Sequence, residues 1–218
     1  GNIKSNIKNL VIIYIMIKGT KICGVTDIKT LEHIINHPFP CQFIGFITNF
    51  KKSKRYVEFD ILKKLTSLNN NKISFVAVLV KPTDKELEKI KDLRFDYYQL
   101  YDVNPDRTKL IKKKYNKKII SALTIQTIDD VKKYKMYESI SDIILFDGIG
   151  YERSLGFDHN LLKIVPKSIT KMIAGNIKIE NIPKLENIEY FVDVSGSLED
   201  KNGKKDLKKI DYFLENTK

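Results

Sequence analysis

The chain has 218 residues, 42% of them apolar, and a formal net charge of +12 at pH 7. Its length suits one domain with a sizeable core, and its longest apolar run, residues 10–17, is far short of the roughly 20 residues that span a bilayer. All but four of the 39 basic residues are Lys, interspersed with acidic residues along the whole chain, so a solvated surface accounts for the charge better than a nucleic-acid-binding patch.

In chain order, residues 1–15 stand apart as an N-terminal extension or upstream segment, and the domain proper is expected over 16–218. Lys4 and Lys8 precede the apolar run in the manner of a signal peptide. The run is short, however, and no small-residue cleavage site follows before Lys18 and Lys21, so a cytoplasmic location is expected. From there a short β-rich apolar run alternates with an amphipathic stretch. The runs fall at 20–24, 43–47, 73–80, 96–100, 118–122, 142–146, 170–174 and 189–194. Residues 74–80 are apolar without alternation, the mark of a parallel strand buried on both faces.

Between the runs lie helix starts. Thr83 and Glu86 form a capping box, and Leu87, Ile90 and Leu93 continue as a helical stripe. Asn104-Pro105 opens the next helix with Pro at its first position. Eight strands with seven or eight helices describe an α/β barrel or a doubly wound sheet. No Gly-x-Gly-x-x-Gly follows the first strand, which speaks against a dinucleotide-binding sheet.

Cys23 and Cys41 are expected to be free thiols, Cys41 as plain core. His33 and His37 are four apart on a helix, a spacing that can bind metal. No further ligand pattern completes a site, and a helix C-terminus before Pro38 suits both rings. Arginine is scarce, so Arg55, Arg94, Arg107 and Arg153 invite geometric roles.

Barrel enzymes carry their chemistry at the C-terminal ends of the strands. Here those ends hold Cys23-Gly24, residues 48–55, residues 99–102, Asp147-Gly148, Gly175-Asn176 and Ser195-Gly196-Ser197. Lys21-Ile22-Cys23-Gly24-Val25-Thr26 matches the motif K-I-C-G-[ILV]-T. Gly45-Phe46 with Ser53-Lys54-Arg55-Tyr56-Val57 is similar to G-F…S-P-R-Y-V. Asp193-Val194-Ser195 with Gly203-Lys204-Lys205-Asp206 and Ile210 is similar to D-V-S-S-G…G-x-K-D…I. On these motifs the chain resembles the phosphoribosylanthranilate isomerases of tryptophan biosynthesis, from about Lys18 to Phe213.

The resemblance implies a single (β/α)8 barrel and an Amadori rearrangement of N-(5-phosphoribosyl)anthranilate. A general acid protonates the ribose ring oxygen, a Schiff base forms, and a general base removes the C2 proton. Cys23 matches the base and Asp147 the acid. Arg55 matches the residue that holds the anthranilate carboxylate, which suits a guanidinium fork. Asp193 matches a contact near the sugar hydroxyls. Gly175, Asn176, Ser195 and Gly196 lie where barrels build phosphate sites. A small phosphosugar-anthranilate substrate is implied, with no cofactor or metal and no nucleic-acid or membrane partner, in a monomer or homodimer.

On reference pKa values roughly 3% of the cysteine is thiolate, and about 0.1% of the aspartate is protonated, at neutral pH. Matching each to neutrality therefore needs about 2 kcal/mol at Cys23 and about 4 kcal/mol at Asp147. The acid is expected to be the more perturbed group.

The chain departs from the family pattern at several points. Tyr101 stands where Q-L-H-G has its histidine. The loop after strand six is poor in glycine, which leaves Arg153 and Ser154 as candidates to compensate at the phosphate. Lys54 replaces the usual Pro, and Asn176 the second Gly after strand seven. His159, expected to open the sixth helix, is assigned to packing. Competing readings are a barrel of the indole-glycerol-phosphate synthase type, which wants catalytic Lys and Glu on early strands, and a basic nucleic-acid binder, which steep salt dependence would reveal.

Overall fold

The computed structural model describes residues 17–218. The expected extension at 1–15 lies outside the described residues. Eight parallel strands close into a barrel in sequence order. They are β1 (Ile17–Cys23), β2 (Phe43–Ile47), β3 (Ser74–Val80), β4 (Tyr97–Tyr101), β5 (Lys118–Thr124), β6 (Ile143–Asp147), β7 (Lys171–Ile173) and β8 (Tyr190–Val194). The choice that periodicity left open, barrel or open sheet, is settled by the pairing of β1 with β8.

Alternation along each strand sorts side chains into two layers. Ile22, Ile44, Phe46, Phe75 and Leu79 point outward and are buried under the helices. Phe43, Val76, Ile120, Leu145 and Met172 point inward and fill the lumen. Each such side chain contributes roughly 1.5–3 kcal/mol on burial.

The outer layer is made by α1 (Ile28–Ile35), α2 (Phe59–Thr66), α3 (Asp84–Ile90), α4 (Pro105–Tyr115), the short pair α5 (Ile128–Lys132) and α6 (Tyr134–Tyr137), and α7 (Leu207–Glu215). On α1, Leu31, Ile34 and Ile35 form the buried face, and the Asp27 side chain caps the start by accepting from the Thr30 N–H. The Thr83–Glu86 capping box forms on α3 as expected. Asn104 caps α4 with Pro105 behind it, and Asp206 caps α7. Loss of such a cap costs about 1 kcal/mol.

Two connections differ from the expected alternation. After β6 and β7 the chain makes 3-10 turns, His159–Ile164 and Ile179–Asn181, in place of α-helices. Pro166 and Pro183 follow these turns closely, and proline removes the N–H that a continuing helix needs. His159 thus opens a 3-10 turn, where its ring meets Phe157 edge-on. His33 and His37 both face Asp211 beside the end of α1. Cys41 is buried, its thiol donating to the Phe43 carbonyl, and it is free, as is Cys23.

Candidate active site

The C-terminal ends of the strands surround a cavity of about 450 Å³. The fold brings all eight residues singled out in the sequence to its wall: Cys23, Arg55, Asp147, Gly175, Asn176, Asp193, Ser195 and Gly196. Cys23 and Asp147 are the last residues of β1 and β6, and both are buried.

Asp147 is surrounded by donors that carry no charge. Tyr101, at the end of β4, donates its hydroxyl to Oδ2 at 2.9 Å. Ser154, in the loop after β6, donates to Oδ1 at 2.8 Å. Burial pushes the Asp147 carboxyl up to about 6, against the pull of these hydroxyls and the Gly148 N–H. That is roughly 3 kcal/mol of the 4 kcal/mol a neutral-pH acid requires. Burial and the adjacent Asp147 raise the Tyr101 phenol well above its ordinary value, so it stays a donor. The Ser154 hydroxyl is thus engaged by the carboxyl, whereas Arg153 lines the cavity from the same loop.

Cys23 lies in a different setting. Burial and the charge of Asp193 raise its thiol above the ordinary value, while Lys21 and Lys205 oppose that rise. Lys21 is wholly buried two residues earlier on β1, and its Nζ is 3.1 Å from Asp193 Oδ2. Burial alone would lower Lys21, but Asp193 and Cys23 hold its ammonium above the ordinary range. Asp193 lines the cavity, and its buried Oδ1 has no hydrogen-bond partner among the described residues, which leaves an acceptor for a ligand donor.

Arg55 reaches the pocket from the loop after β2, its stem crossing Gly24. A Cβ on that glycine would sit 2.5 Å from Arg55 Cδ. The Nε and Nη2 side of the fork is held by both oxygens of Glu199, at 2.6 and 2.7 Å. Nη1 donates to the Glu152 carbonyl at 3.1 Å, which leaves guanidinium N–H groups over for a second carboxylate. Glu199 also receives Lys205 Nζ at 2.9 Å. Burial would raise Glu199, yet Arg55 and Lys205 hold it at about 2.

Gly175 and Asn176 take left-handed backbone, with φ of +100 and +52. Asparagine is among the few residues that tolerate this conformation, which explains how it replaces glycine there. Ser197, on the same wall, has a buried Oγ without a hydrogen-bond partner among the described residues. Phe50 and Tyr151 pack at 5.1 Å between ring centroids, with Tyr101 edge-on to Tyr151 at 5.7 Å. Tyr151 also donates to Asp102.

Sequence reasoning gave no role to Lys21, Glu199 or Lys205. Lys21 and Lys205 lie inside quoted motifs, so the signal was present without the geometry that gives it meaning. Among the described residues no helix is long and apolar enough to cross a membrane, and no group of three or more His, Cys, Asp or Glu can hold a metal.

Comparison with known proteins places the chain in a family. The profile of the N-(5′-phosphoribosyl)anthranilate (PRA) isomerase family matches residues 20–216. The N-(5′-phosphoribosyl)anthranilate isomerase of Rhizobium rhizogenes is 32% identical over 206 residues, covering 89% of this chain and 91% of its own. Among solved structures, phosphoribosyl anthranilate isomerase from Thermotoga maritima superposes with a TM-score of 0.80 at 22% identity, covering 91% of this chain and 97% of that one. A phosphoribosyl anthranilate isomerase in complex with reduced 1-(o-carboxyphenylamino)-1-deoxyribulose 5-phosphate gives 0.77 at 21% identity, with the same coverage. At these identities the structural matches speak for the fold, while the sequence matches speak for the family. The chain belongs to the N-(5′-phosphoribosyl)anthranilate isomerase family, enzymes of tryptophan biosynthesis.

Proposed function

We infer that the chain performs the family's Amadori rearrangement with Asp147 as general acid and Cys23 as general base. The observation that carries this reading is the pairing of two unlike groups in one cavity. One is a buried carboxyl held near 6 with neutral donors around it; the other is a thiol flanked by ammonium groups. A carboxyl at that value is protonated in about a tenth of molecules at neutral pH, roughly a hundredfold more than an unperturbed one.

Asp147 donates its proton to the ribose ring oxygen, the C1–O bond breaks, and the anthranilate nitrogen takes up the positive charge as an iminium. Cys23, as thiolate, removes the C2 proton, and those electrons flow to the iminium nitrogen. In the resulting enolamine C1 gains a proton and the 2-hydroxyl loses one, giving the 1-deoxyribulose ketone. Atoms and electrons balance within the substrate, so the nitrogen is the only electron sink the step needs.

Arg55 receives the anthranilate carboxylate on the N–H groups that Glu199 and Glu152 leave over. Phe50 and Tyr151 offer their faces to the aromatic ring. The vacant Asp193 Oδ1 accepts from a sugar hydroxyl. Backbone N–H groups around Gly175, Asn176, Ser195 and Gly196, with the Ser197 hydroxyl, hold the phosphate. Incubation of the pure protein with N-(5-phosphoribosyl)anthranilate, followed by loss of anthranilate-type fluorescence, tests the reading. Absence of turnover in correctly folded protein would overturn it.

A further inference from the structure

Lys21 is a buried ammonium that the reaction as written does not use. It shares the lumen face of β1 with Cys23, because residues two apart on a strand point the same way. Its register partner across the β1–β8 seam is Asp193, which accounts for the 3.1 Å ion pair. That pair alone does not explain where the rest of the side chain goes. On the other side of β1, Cys23 is in register with Gly45 of β2. A Cβ on Gly45 would lie 2.9 Å from Cys23 Sγ, 3.1 Å from Lys21 Nζ and 3.2 Å from Lys21 Cε. The sulfur and the ammonium therefore converge on the space that the absent side chain leaves.

The charged and titratable groups facing Cys23 are Lys21 on its own strand, Asp193 on β8, Lys205 and Arg55 from the loops after β8 and β2, and Tyr101 on β4. Arg55 is committed to Glu199. Lys205 is committed to Glu199 and to the carbonyl and hydroxyl of Ser195. Lys21 is the cation that acts most strongly on the thiol.

We propose that Lys21 is a positioning residue for proton abstraction, its ammonium serving as counter-ion to the Cys23 thiolate while it tethers Asp193. One cation thereby holds both the base and the sugar-hydroxyl acceptor. When Cys23 takes up the C2 proton and becomes neutral, Lys21 keeps Asp193 as its partner, so no buried charge is stranded at any stage. Gly45 is the space in which this contact forms. The proposal rests on Cys23 being the base.

Alkylation of Cys23 by iodoacetamide as a function of pH reads the thiolate without turnover, and a Cys41→Ala background removes the second thiol. Lys21→Met is expected to move the alkylation midpoint up by about one pH unit or more, roughly a tenfold loss of thiolate at fixed pH. The acidic limb of kcat/KM should move by the same interval. A folded Lys21→Met protein with the midpoint of its parent would overturn the proposal. If that variant does not fold, Gly45→Ala replaces it, since its methyl parts sulfur from ammonium at unchanged charge. Its midpoint is expected to rise, and an unmoved one is equally fatal. Full activity in Cys23→Ala would instead remove the base assignment, an outcome the alkylation profile does not share.

Discussion

The two walls of the cavity hold Glu199 and Asp147 in opposite ways. On the β1–β2–β8 side, Lys21, Arg55 and Lys205 are interleaved with Asp193 and Glu199, and Glu199 is held at about 2. On the β4–β6 side, Asp147 meets only hydroxyls and an amide, and burial takes it to about 6. Asp147 is the more deeply enclosed of the two, and the charge of the neighbours sets them further apart. The cationic wall holds Glu199 as an anion and opposes the rise that burial imposes on Cys23 and Asp193, while the other wall keeps a proton available. The proposed acid and base roles rest on this division, since a pocket lined evenly with lysine would ionise both groups.

The most severe way to break the division is to remove the group on the cationic wall. Cys23→Ala is expected to lower kcat by about 10³-fold or more with KM within a few-fold, because a base acts in the transition state. Steady-state kinetics on folded protein check this, and near-normal kcat removes Cys23 from its role. Asp147→Asn should lower kcat by at least about 10²-fold. It should also stabilise the protein. A folded-state value of about 6 against 3.8 unfolded means that the native state binds the extra proton, so stability is lost as pH rises through that window. At neutral pH the ionised carboxyl therefore costs up to about 3 kcal/mol, which Asn relieves. Denaturant midpoints for the two proteins should converge below about pH 4; a gap that persists there contradicts the cause given.

Sequence reading reached eight parallel strands because β3 is apolar on both faces and the strand spacing is regular, and the motif resemblance supplied the barrel. It placed the start of β1 three residues late, because Ile17 to Gly19 becomes a strand only through pairing with β8, across a bulge. It expected helices where Pro166 and Pro183 leave 3-10 turns. At the site, motifs marked Cys23 and Asp147. The partners that tune them were not legible, since Lys21 meets Asp193 across 172 residues and Arg55 meets Glu199 across 144. No local pattern encodes such contacts.

A milder change tests the cationic wall through its anion. Glu199→Gln leaves Arg55 and the nearly buried Lys205 without their carboxylate. Glu199 is depressed to about 2 from 4.5, so its contribution is present above the unfolded value and disappears as pH falls through that window. The variant is expected to be about 3 kcal/mol less stable near neutrality, with the difference vanishing in acid. Loosening Arg55 should raise KM roughly tenfold, equivalent to about 1.4 kcal/mol of binding. Chemical denaturation across pH, with KM measured alongside, decides both. Equal stability at neutral pH would mean that the Arg55–Glu199 pair only offsets its own desolvation.

The smallest expected effect lies on the neutral wall, at the residue where this chain departs from its family. Tyr101→Phe removes the 2.9 Å hydrogen bond to Asp147 Oδ2 and leaves the ring packing against Tyr151. That bond favours the carboxylate, so without it the Asp147 value should rise further above 6. The alkaline limb of the kcat profile, where the Asp147 proton leaves, should then move up by about half a pH unit, the scale of one neutral hydrogen bond. Below that limb kcat should stay within roughly tenfold, since the Ser154 bond still orients the carboxyl. A loss of about 10²-fold or more would make Tyr101 the proton donor instead. The direction of the limb separates the two cases: a positioning hydroxyl holds the acid down, so its removal can only shift the limb upward.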